Sequence, residues 1–384
     1  MAKIQILSIF GTRPEAIKMA PLLLELSQRP EIDSQICLTA QHREMLDGVM
    51  DLFSLEAQYD LNIMQEKQSL YTVTTKALLG LEEVFKQARP DLVLVHGDTS
   101  STFCASLAAF YAKIPVGHVE AGLRSGDNLS PYPEEMNRKL VGQIASLHFA
   151  PTSLGRKNLE AEGICDGVFV TGNTVIDVLP YTLGKFSGRF GNVLDEIDWA
   201  GKRLITLTCH RRENYGKPME DIFMAARDLV EQFSDLILVY PVHPSPQVQQ
   251  TAQEILGGHP RIHLLAPLDT VQMHGLLQKS YLVLTDSGGL QEEAPSLGKP
   301  VLVLRRETER PEAITAGTVR LAGVARDEIF KMAAELLTDE TAYTSMAQAV
   351  NPYGDGKASQ RIADAILWHF GQKAQKPSDF IVKG

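Results

Sequence analysis

Residues 3–18 read KIQILSIFGTRPEAIK, and this stretch decides the fold. Its first half, Lys3–Phe10, is an apolar, β-branched run that predicts a buried strand. Thr12 and Glu15 have the spacing of a capping box, and Pro14 suits the first position of a helix. A helix is therefore expected to begin at the carboxyl end of a strand, which is the unit from which parallel sheets are built.

The same alternation of apolar runs with segments of helical period continues along the chain. It predicts an α/β protein with parallel sheets that are covered by helices on both faces. The first set of predicted strands comprises Lys3–Phe10, Gln35–Thr39, Leu92–His96, Pro115–Val119, Leu147–Ala150 and Val168–Thr171. The second set comprises Arg203–Thr208, Leu236–Tyr240, Arg261–Leu265, Tyr281–Thr285 and Pro300–Leu304.

Each set predicts its own doubly wound, Rossmann-like domain, and the two domains are expected to face a cleft. We place the N-terminal domain at residues 1–172 and the C-terminal domain at residues 173–358. The glycine-rich stretch Leu179–Gly201 predicts a linker region. A C-terminal helix or tail at residues 359–384 could cross back to the first domain.

The composition excludes several classes of protein. The chain has 384 residues and a formal net charge of −10, which disfavours a nucleic-acid partner because phosphate backbones select basic faces. Four cysteines without C-x-x-C spacing fit a reducing, cytoplasmic compartment and argue against disulfides or a thiolate zinc site. Because no apolar run reaches about 18 residues and the N-terminus lacks the context of a signal peptide, no membrane association is expected.

Common cofactor motifs are missing from the sequence. It contains no G-x-G-x-x-G, no G-x-x-x-x-G-K-[ST], no H-E-x-x-H and no G-x-S-x-G. Nicotinamide, P-loop, zinc and serine-esterase chemistry therefore lose their usual support. We predict neither a cofactor nor a metal.

Polar residues follow the predicted strands, at the edge where doubly wound sheets bind their ligands. Arg13 and Lys18 add positive charge at the start of the first helix, and helix N-termini attract anions. We interpret Arg13 as a phosphate contact. The alternative is an ordinary turn with two solvated basic residues.

Three carboxylates are candidates for acid/base chemistry. Asp98 and Glu120 each follow a strand of the first set, and Glu134 opens a helix after a proline-flanked approach. Two acids in one crevice raise each other's pKa, which poises an acid/base pair. The alternative roles are a helix N-cap for Asp98 and a favourable helix-dipole interaction for Glu135.

The second half of the chain carries two histidines after strands. His210 follows Arg203–Thr208 and precedes two arginines, so it is either a hydrogen-bonding or proton-transfer group or an idle surface residue. His243 is wedged between prolines, which favours a structural role.

A glycine pair follows the strand that ends at Thr285. Ser287, Gly288 and Gly289 let backbone N–H groups surround an anion, which suits a pyrophosphate. Glu293, about one turn into the next helix, is placed to accept the hydroxyls of a ribose. Arg310 is either a further ligand contact or a stray arginine at a helix start.

Together these segments closely resemble the non-hydrolysing UDP-N-acetylglucosamine 2-epimerases of bacteria. The resemblance covers essentially the whole chain, and its motifs are long and collinear. They comprise Phe10–Lys18, Thr39–Met45, His96–Thr99, Gly117–Arg124, Pro131–Arg138, Thr171–Thr174, His210–Glu213, Thr285–Lys299 and Asn351–Gly356.

The resemblance implies a GT-B fold, a homodimer, and interconversion of UDP-GlcNAc and UDP-ManNAc to supply ManNAc units for cell-surface polysaccharide. By motif, it implies the catalytic residues Asp98, Glu120, Glu134 and His210. It implies nucleotide contacts at Arg13, Lys18, Ser287, Gly288, Gly289, Glu293 and Arg310. Enzymes of this kind can also bind a second UDP-GlcNAc as an activator, and the corresponding positions are Gln41, Gln68 and His243.

The resemblance and the residues agree on an elimination mechanism, because the C2 hydrogen of the sugar is not acidic and no nicotinamide fingerprint is present. UDP leaves C1, a carboxylate removes the C2 proton, and 2-acetamidoglucal forms. UDP then adds back after reprotonation on the other face. The alternatives are a GT-B glycosyltransferase, a hydrolysing epimerase that releases ManNAc, and a non-catalytic nucleotide-sugar sensor.

Overall fold

The computed structural model describes residues 3–39, 43–63 and 69–382, and it divides into two compact units. The first unit comprises the described part of Met1–Val178 together with Tyr353–Ile381, and the second contains Leu179–Pro352. These divisions lie a few residues from the predicted limits at 172 and 359.

Parallel strands form one sheet in the first unit, and most of their residues are buried, which explains their continuous apolar sequence. Their order across the sheet is β3-β2-β1-β4-β5-β6-β7. In the described part of the chain they are β1 (Ile4–Phe10), β2 (Ile32–Leu38), β3 (Tyr59–Asp60), β4 (Leu92–His96), β5 (Val116–Val119), β6 (Leu147–Ala150) and β7 (Val168–Val170).

The second unit has its own parallel sheet, with the order β10-β9-β8-β11-β12-β13. Among the residues described, its strands are β8 (Arg203–Thr208), β9 (Leu236–Pro241), β10 (Ile262–Leu265), β11 (Leu282–Thr285), β12 (Val301–Val303) and β13 (Val319–Leu321). The two parallel sheets confirm the predicted α/β fold class with two doubly wound domains. The sequence did not predict β3 and β13, because one has two residues and the other has Arg320 at its centre.

Helices connect the strands in both units. Those of the first unit are α1 (Arg13–Ser27), α2 (Arg43–Phe53), α3 (Leu70–Ala88), α4 (Ser100–Tyr111), α5 (Glu134–Ile144) and α6 (Ser153–Ala161). The division between the units falls within α7 (Thr174–Lys185). The remaining helices are α8 (Lys217–Gln232), α9 (Pro246–Leu256), α10 (Thr270–Lys279), α11 (Leu290–Ser296), α12 (Pro311–Thr315), α13 (Arg326–Thr338), α14 (Glu340–Ala347) and α15 (Ala358–His369). Within the described ranges, no helix combines the length and the apolar character needed to cross a bilayer.

The strand order of each sheet reverses once, and such a reversal marks the crevice where doubly wound sheets bind ligands. In the first unit the reversal lies between β1 and β4, whose carboxyl ends lead to Arg13 and Asp98. In the second unit it lies between β8 and β11, whose carboxyl ends lead to His210 and Asp286. The topology thus directs candidate site residues of both units to the expected edges.

The prediction of a linker at Leu179–Gly201 is wrong. Most of α7 occupies its first residues, and a 3₁₀ turn, Val193–Glu196, follows. Phe190 and Leu194 are buried in a core cluster of the second unit. The glycines of the stretch suggested a linker, although Phe190 and Leu194 pack in the core.

The C-terminal segment belongs to the first unit, where α15 packs against α1. Asp177 caps this helix by accepting hydrogen bonds from the backbone N–H groups of Ala358 (3.1 Å) and Ser359 (2.7 Å). Farther on, the Asp379 carboxylate accepts two hydrogen bonds from the Arg156 guanidinium, at 2.7 and 2.9 Å. These bonds hold the tail on the first unit.

Two buried histidines of the first sheet should make the fold sensitive to acid. His118 on β5 and His148 on β6 are neighbours in register. Burial lowers the pKa of His118 to about 3 and that of His148 to about 4, from an ordinary 6.5. The unfolded chain therefore binds these protons at a higher pH than the folded chain, so stability is full above pH 6.5 and falls as the pH decreases. We expect a loss of about 2 kcal/mol per histidine between pH 7 and pH 5.

Urea unfolding at pH 7, 6 and 5 measures this loss. The variant H148Q should depend less steeply on pH, whereas H369N, which replaces an exposed histidine, should keep the slope of the parent chain. A parent chain that is equally stable at pH 7 and pH 5 would contradict the argument.

Candidate active site

The Glu120 carboxylate follows β5 and has two close side-chain partners, Lys18 and His96. Lys18 Nζ donates a hydrogen bond to Glu120 Oε2 at 2.5 Å, and His96 Nε2 lies 2.9 Å from the same oxygen. Burial alone would raise the pKa of Glu120, but Lys18 and His96 together hold it well below its usual range. Glu120 is therefore ionised at neutral pH.

The backbone of Glu120 also departs from the ordinary. Its φ angle is 63°, in the left-handed region that residues other than glycine rarely adopt. Such conformations persist only where the surroundings impose them, and they cluster at functional sites. The ion pair with Lys18 and the strained backbone both fix the position of this carboxylate.

Asp98 follows β4, the neighbour of β5 in the sheet. Its Oδ2 accepts a hydrogen bond from Arg138 Nη2 at 2.5 Å, and its carbonyl accepts one from Asn137 Nδ2 at 2.9 Å. Burial raises the pKa of Asp98 and the Glu120 carboxylate adds to this effect, although Arg138 opposes it. The environments of the two carboxylates thus move their pKa values in opposite directions.

The alternative role of Asp98 as a helix N-cap is wrong. The N-cap of α4 is Thr99, whose side chain accepts a hydrogen bond from the backbone N–H of Thr102. The Asp98 carboxylate therefore has no part in capping that helix.

Glu15 joins the two loops at the strand-order reversal of the first unit. Its Oε2 accepts from the backbone N–H groups of Gly11 (3.0 Å) and Thr12 (2.8 Å). Its Oε1 accepts from the hydroxyls of Thr99 (2.6 Å) and Thr102 (2.9 Å). One buried carboxylate thus ties the loop that leads to Arg13 to the loop that carries Asp98.

His118 contacts the backbone of the loop that carries Asp98. Its Nε2 lies 2.7 Å from the carbonyl oxygen of Gly97, the residue before Asp98. Because its lowered pKa keeps the ring neutral, we assign the proton to Nε2, which then donates to this carbonyl.

Glu134 and Glu135 begin α5 but differ in their surroundings. Glu135 is fully buried and accepts from the backbone N–H groups of Ser125 (3.0 Å) and Gly126 (3.3 Å), so it has a structural role beyond the helix dipole. Glu134 is half-buried, and the described residues give it no hydrogen-bond or ion-pair partner. Its carboxylate therefore remains available to a ligand.

The two basic residues near the start of α1, Arg13 and Lys18, have different surroundings. Arg13 is the first residue of the helix and is half-buried there. Lys18 pairs with Glu120, which differs from the nucleotide contact that the resemblance implies.

In the second unit, the fully buried Asp286 joins the loops at the strand-order reversal. Its Oδ2 accepts from the backbone N–H groups of His210 (2.8 Å) and Arg211 (2.9 Å) and from Asn214 Nδ2 (3.1 Å). Its other oxygen, Oδ1, lies 3.3 Å from His210 Nδ1. Asp286 thus connects two loops at the strand-order reversal of this sheet, as Glu15 does in the first unit, although the two acids follow different strands.

The His210 ring lies at the carboxyl edge of the second sheet with 40% of its side chain exposed. It stacks on the exposed ring of His243, at 5.5 Å between centroids and 14° between planes. Burial lowers the pKa of His210, and the Asp286 carboxylate opposes this effect. His243 therefore adjoins a predicted catalytic residue.

The glycine pair leads from β11 into α11 and lies against Arg310. A Cβ atom at Gly288 would be 2.7 Å from Arg310 Nη1, so a side chain there would force the guanidinium to shift. Arg310 is itself buried and donates from Nε to Glu292 at 2.5 Å. The guanidinium thus adds positive charge directly beside the backbone of the glycine pair.

Glu293 lies at the end of a short polar chain. Its Oε2 is 3.3 Å from His274 Nε2, and His274 Nδ1 is 2.6 Å from the hydroxyl of Thr182. The carboxylate keeps 14% of its side chain exposed. Its orientation is therefore fixed while one side stays accessible.

The positions predicted for an activator are only partly described. Gln41 and Gln68 lie outside the described residues, and the activator role of His243 stays a prediction. In the parts of the chain that the structure describes, no group of His, Cys, Asp and Glu side chains is arranged to hold a metal ion.

Sequence reasoning missed the residues that hold the candidate site together. The capping-box spacing of Glu15 predicts only a local role, and nothing in the sequence assigns a role to Asp286, His96 or Arg138. Glu15 is next to Arg13 in the same helix turn and Asp286 precedes Ser287, so their proximity to site residues was the available signal. Thr99, which bonds to Glu15, and Asn214, which bonds to Asp286, are 84 and 72 residues away along the chain, and the sequence gave no signal for these contacts.

The family model described as UDP-N-acetylglucosamine 2-epimerase matches residues 24–367. The chain belongs to this family. A UDP-N-acetylglucosamine 2-epimerase of Bacillus subtilis (strain 168) is 53% identical over 384 residues, which are 100% of this chain and 100% of the relative. This membership confirms both the family that the motifs indicated and the enzyme class, an isomerase.

Solved structures of the epimerase family agree with the fold. The S. aureus protein MnaA in its co-structure with UDP has a TM-score of 0.89 and 51% identity, over 99% of this chain and 100% of that one. The UDP-GlcNAc 2-epimerase of Neisseria meningitidis, bound to UDP-GlcNAc, has a TM-score of 0.88 and 47% identity, over 94% and 99% of the two chains.

Proposed function

We propose that this chain interconverts UDP-GlcNAc and UDP-ManNAc without hydrolysis, by elimination and re-addition of UDP. The product would supply ManNAc units for cell-surface polysaccharide, and the enzyme would act in the cytoplasm. Solved relatives with UDP or UDP-GlcNAc bound support the choice of substrate.

The observation that carries this proposal is the contrast between Glu120 and Asp98. One carboxyl has a lowered pKa and the other a raised pKa, although they follow neighbouring strands. Pairs of titratable groups with opposite shifts are typical of acid/base catalysis. An epimerase needs such a pair, because it removes a proton from one face of C2 and returns one to the other face.

In the proposed forward reaction, the ionised Glu120 takes the C2 proton while the C1–O bond to UDP breaks and the C1=C2 bond forms. Asp98, which retains its proton more readily, then protonates C2 of the glycal as UDP adds back to C1. In the reverse reaction the two residues exchange roles. Glu134, whose carboxylate has no hydrogen-bond or ion-pair partner in the described part of the chain, assists in orienting the sugar.

Other residues would bind the nucleotide or tune the acids. Lys18 keeps Glu120 ionised, which we prefer to a direct nucleotide contact. Arg13 at the N-terminus of α1 would contact phosphate. In the second unit, the N–H groups of Ser287–Gly289, supported by Arg310, would bind the diphosphate, and Glu293 would accept the ribose hydroxyls. His210 lies beside this loop and would contact the departing diphosphate.

Proton NMR of the purified chain with UDP-GlcNAc in D₂O tests the proposal. We expect UDP-ManNAc to appear, with deuterium at C2 of the product. If the original hydrogen stayed at C2 in both epimers, the elimination scheme would be rejected.

The same spectra separate the alternatives. A GT-B glycosyltransferase would leave UDP-GlcNAc unchanged when no acceptor is added, and so would a non-catalytic sensor. A hydrolysing epimerase would release free ManNAc and UDP. The opposite pKa shifts of two carboxylates favour an epimerase over a transferase.

Replacing Gly288 by Ala should weaken the binding of UDP by about 10-fold or more, because the methyl group would displace the Arg310 guanidinium. Isothermal titration with UDP measures this loss. G184A is a matched control, since a Cβ there meets nothing within 4 Å and its affinity should equal that of the parent. If G288A and the parent bound UDP with equal affinity, the glycine pair would not be part of the nucleotide site.

We also propose that the chain is a homodimer, formed through the packed helices α3 and α4. Their outer surface exposes Tyr71 (86%), Leu79 (63%), Phe110 (60%) and Tyr111 (71%). Apolar patches of this kind mark interaction surfaces in folded proteins.

Sedimentation analysis should find a dimer for the parent and a monomer for L79E/Y111E, because buried glutamates oppose association. V193E changes an exposed apolar residue of the second unit and should remain dimeric. A monomeric parent would exclude the dimer.

A further inference from the structure

Asp286 has one oxygen that the loop connection does not use. Its Oδ2 accepts all three hydrogen bonds from the loop after β8. Its Oδ1 is buried and has no aligned hydrogen-bond donor among the described residues, although His210 Nδ1 lies only 3.3 Å away. A buried, unsatisfied carboxylate oxygen therefore faces one specific ring nitrogen.

This arrangement distinguishes the two tautomers of a neutral His210. With a proton, Nδ1 presents a partial positive charge to the buried Oδ1 at 3.3 Å, whereas a lone pair on Nδ1 would be repelled by the carboxylate. Because the carboxylate is buried, this difference favours the Nδ1–H tautomer. The other ring nitrogen, Nε2, then carries the lone pair.

We propose that Asp286 is a positioning residue that keeps a proton on His210 Nδ1, so that Nε2 is the atom that exchanges a proton with the bound diphosphate. The inference rests on the proposed function, because it assumes that a nucleotide diphosphate binds at Ser287–Gly289. Asp286 directly precedes this loop, so one residue connects the anion site to the imidazole.

The proton transfer is balanced in both directions. When the anionic nucleotide sugar binds, Nε2 takes up a proton from solvent and the ring becomes an imidazolium. When UDP leaves, that proton passes from Nε2 to a phosphate oxygen, so that an N–H bond breaks, an O–H bond forms and the imidazole becomes neutral. When UDP adds back, the same proton returns to Nε2. The carboxylate of Asp286 stays ionised throughout and stabilises the imidazolium.

Charged and titratable groups around His210 set its pH dependence. Asp286 faces it from the loop after β11, His243 from the loop after β9, and Arg211 from its own loop. Burial lowers the pKa of His210, and among these groups only Asp286 raises it. In D286N this opposing charge is lost, so the part of the pH–rate profile that reports His210 should move to lower pH.

The tautomer can be measured without reference to activity. In ¹⁵N-histidine-labelled protein, long-range ¹H–¹⁵N spectra should show His210 as the Nδ1–H form, both free and with UDP added, and H210N assigns the signal. In D286N the Nε2–H form should increase. A parent protein with His210 in the Nε2–H form would overturn the proposal.

Kinetics give the second readout. D286N should lower kcat by about 100-fold, by analogy with other buried carboxylate–histidine pairs. Its affinity for UDP should stay within about 3-fold of the parent, since the Asn carbonyl can still accept the hydrogen bonds of the loop. A kcat within about 3-fold of the parent would overturn the proposal.

N214L is the matched control, because it removes one donor from Oδ2 and leaves Oδ1 and His210 in place. Its pH–rate profile should keep the position of the parent. A shift in N214L as large as that in D286N would mean a merely structural role and would overturn the proposal. If the parent chain did not epimerise UDP-GlcNAc but had the expected tautomer, the proposed function alone would fail.

Discussion

Replacing Glu120 by Gln should lower kcat by about 1000-fold or more, because the amide cannot take the C2 proton and acid/base groups contribute 100- to 10,000-fold. Glu120 is the ionised member of the proposed acid/base pair, because its pKa is held well below its usual range by Lys18 at 2.5 Å and by His96. Initial rates of UDP-ManNAc formation, followed by NMR, measure the effect.

The ion pair provides the control for this prediction. E120Q removes the negative charge that pairs with the partly buried Lys18 ammonium, which lowers the stability of the folded chain. In the double variant K18M/E120Q the charge imbalance is gone, so stability should recover while kcat stays low. Recovery of kcat in the double variant would mean that E120Q had acted through misfolding.

The single variant K18M gives a pH test with a defined sign. Lys18 helps to lower the pKa of Glu120, and activity that needs the ionised carboxylate is lost as the pH falls through that pKa. Without Lys18 the pKa of Glu120 rises, so the acidic limb of the kcat/KM profile should move to higher pH. If the acidic limb stayed at the same pH in K18M, Lys18 would not control the pKa of Glu120.

Replacing Asp98 by Asn should lower kcat by more than about 100-fold, because the amide has no proton to return to C2. The effect should fall on kcat more than on KM if Asp98 acts on the reacting carbon and not in substrate binding. Steady-state kinetics in both directions, with thermal unfolding as a check on the fold, measure it.

E162Q is a suitable control for D98N. Glu162 is also an arginine-paired carboxylate of the first unit, with Arg124 Nε and Nη2 at 2.7 and 2.6 Å, but it does not follow a strand of the sheet. Its kcat should stay within about 2-fold of the parent, since Glu162 lies at the C-terminal end of α6 and not in a loop that follows a strand. Near-normal activity in folded D98N would remove Asp98 from the acid/base pair.

The sequence predicted long, buried strands well and short or polar ones poorly. Runs such as Leu92–Val95 are apolar throughout because both faces of a parallel strand are covered, so their composition alone identifies them. Tyr59–Asp60 and Val319–Leu321 give no such signal. Phe190 and Leu194 were missed because the glycines around them suggested a linker, although both side chains fill a core.

The candidate site residues were predicted from their positions after strands, and their partners were not. Capping-box spacing identified the local role of Glu15, but nothing in the sequence indicated its bonds to Thr99 and Thr102. The nucleotide contact of Lys18 is implied by the resemblance and stays a prediction. The sequence did not indicate that the Lys18 ammonium meets a carboxylate 102 residues farther along the chain.

The two doubly wound sheets, and the edges at which polar residues collect, could be predicted from local sequence, because strand burial and helix starts depend on neighbouring residues. Which charges meet depends on the tertiary fold. Strand order and crossovers bring Lys18 to Glu120, Arg138 to Asp98 and Asp286 to His210, and these pairs set the pKa values on which the proposed chemistry depends. Electrostatic coupling acts through distance in space and through burial, and neither quantity is contained in the separation of two residues along the chain.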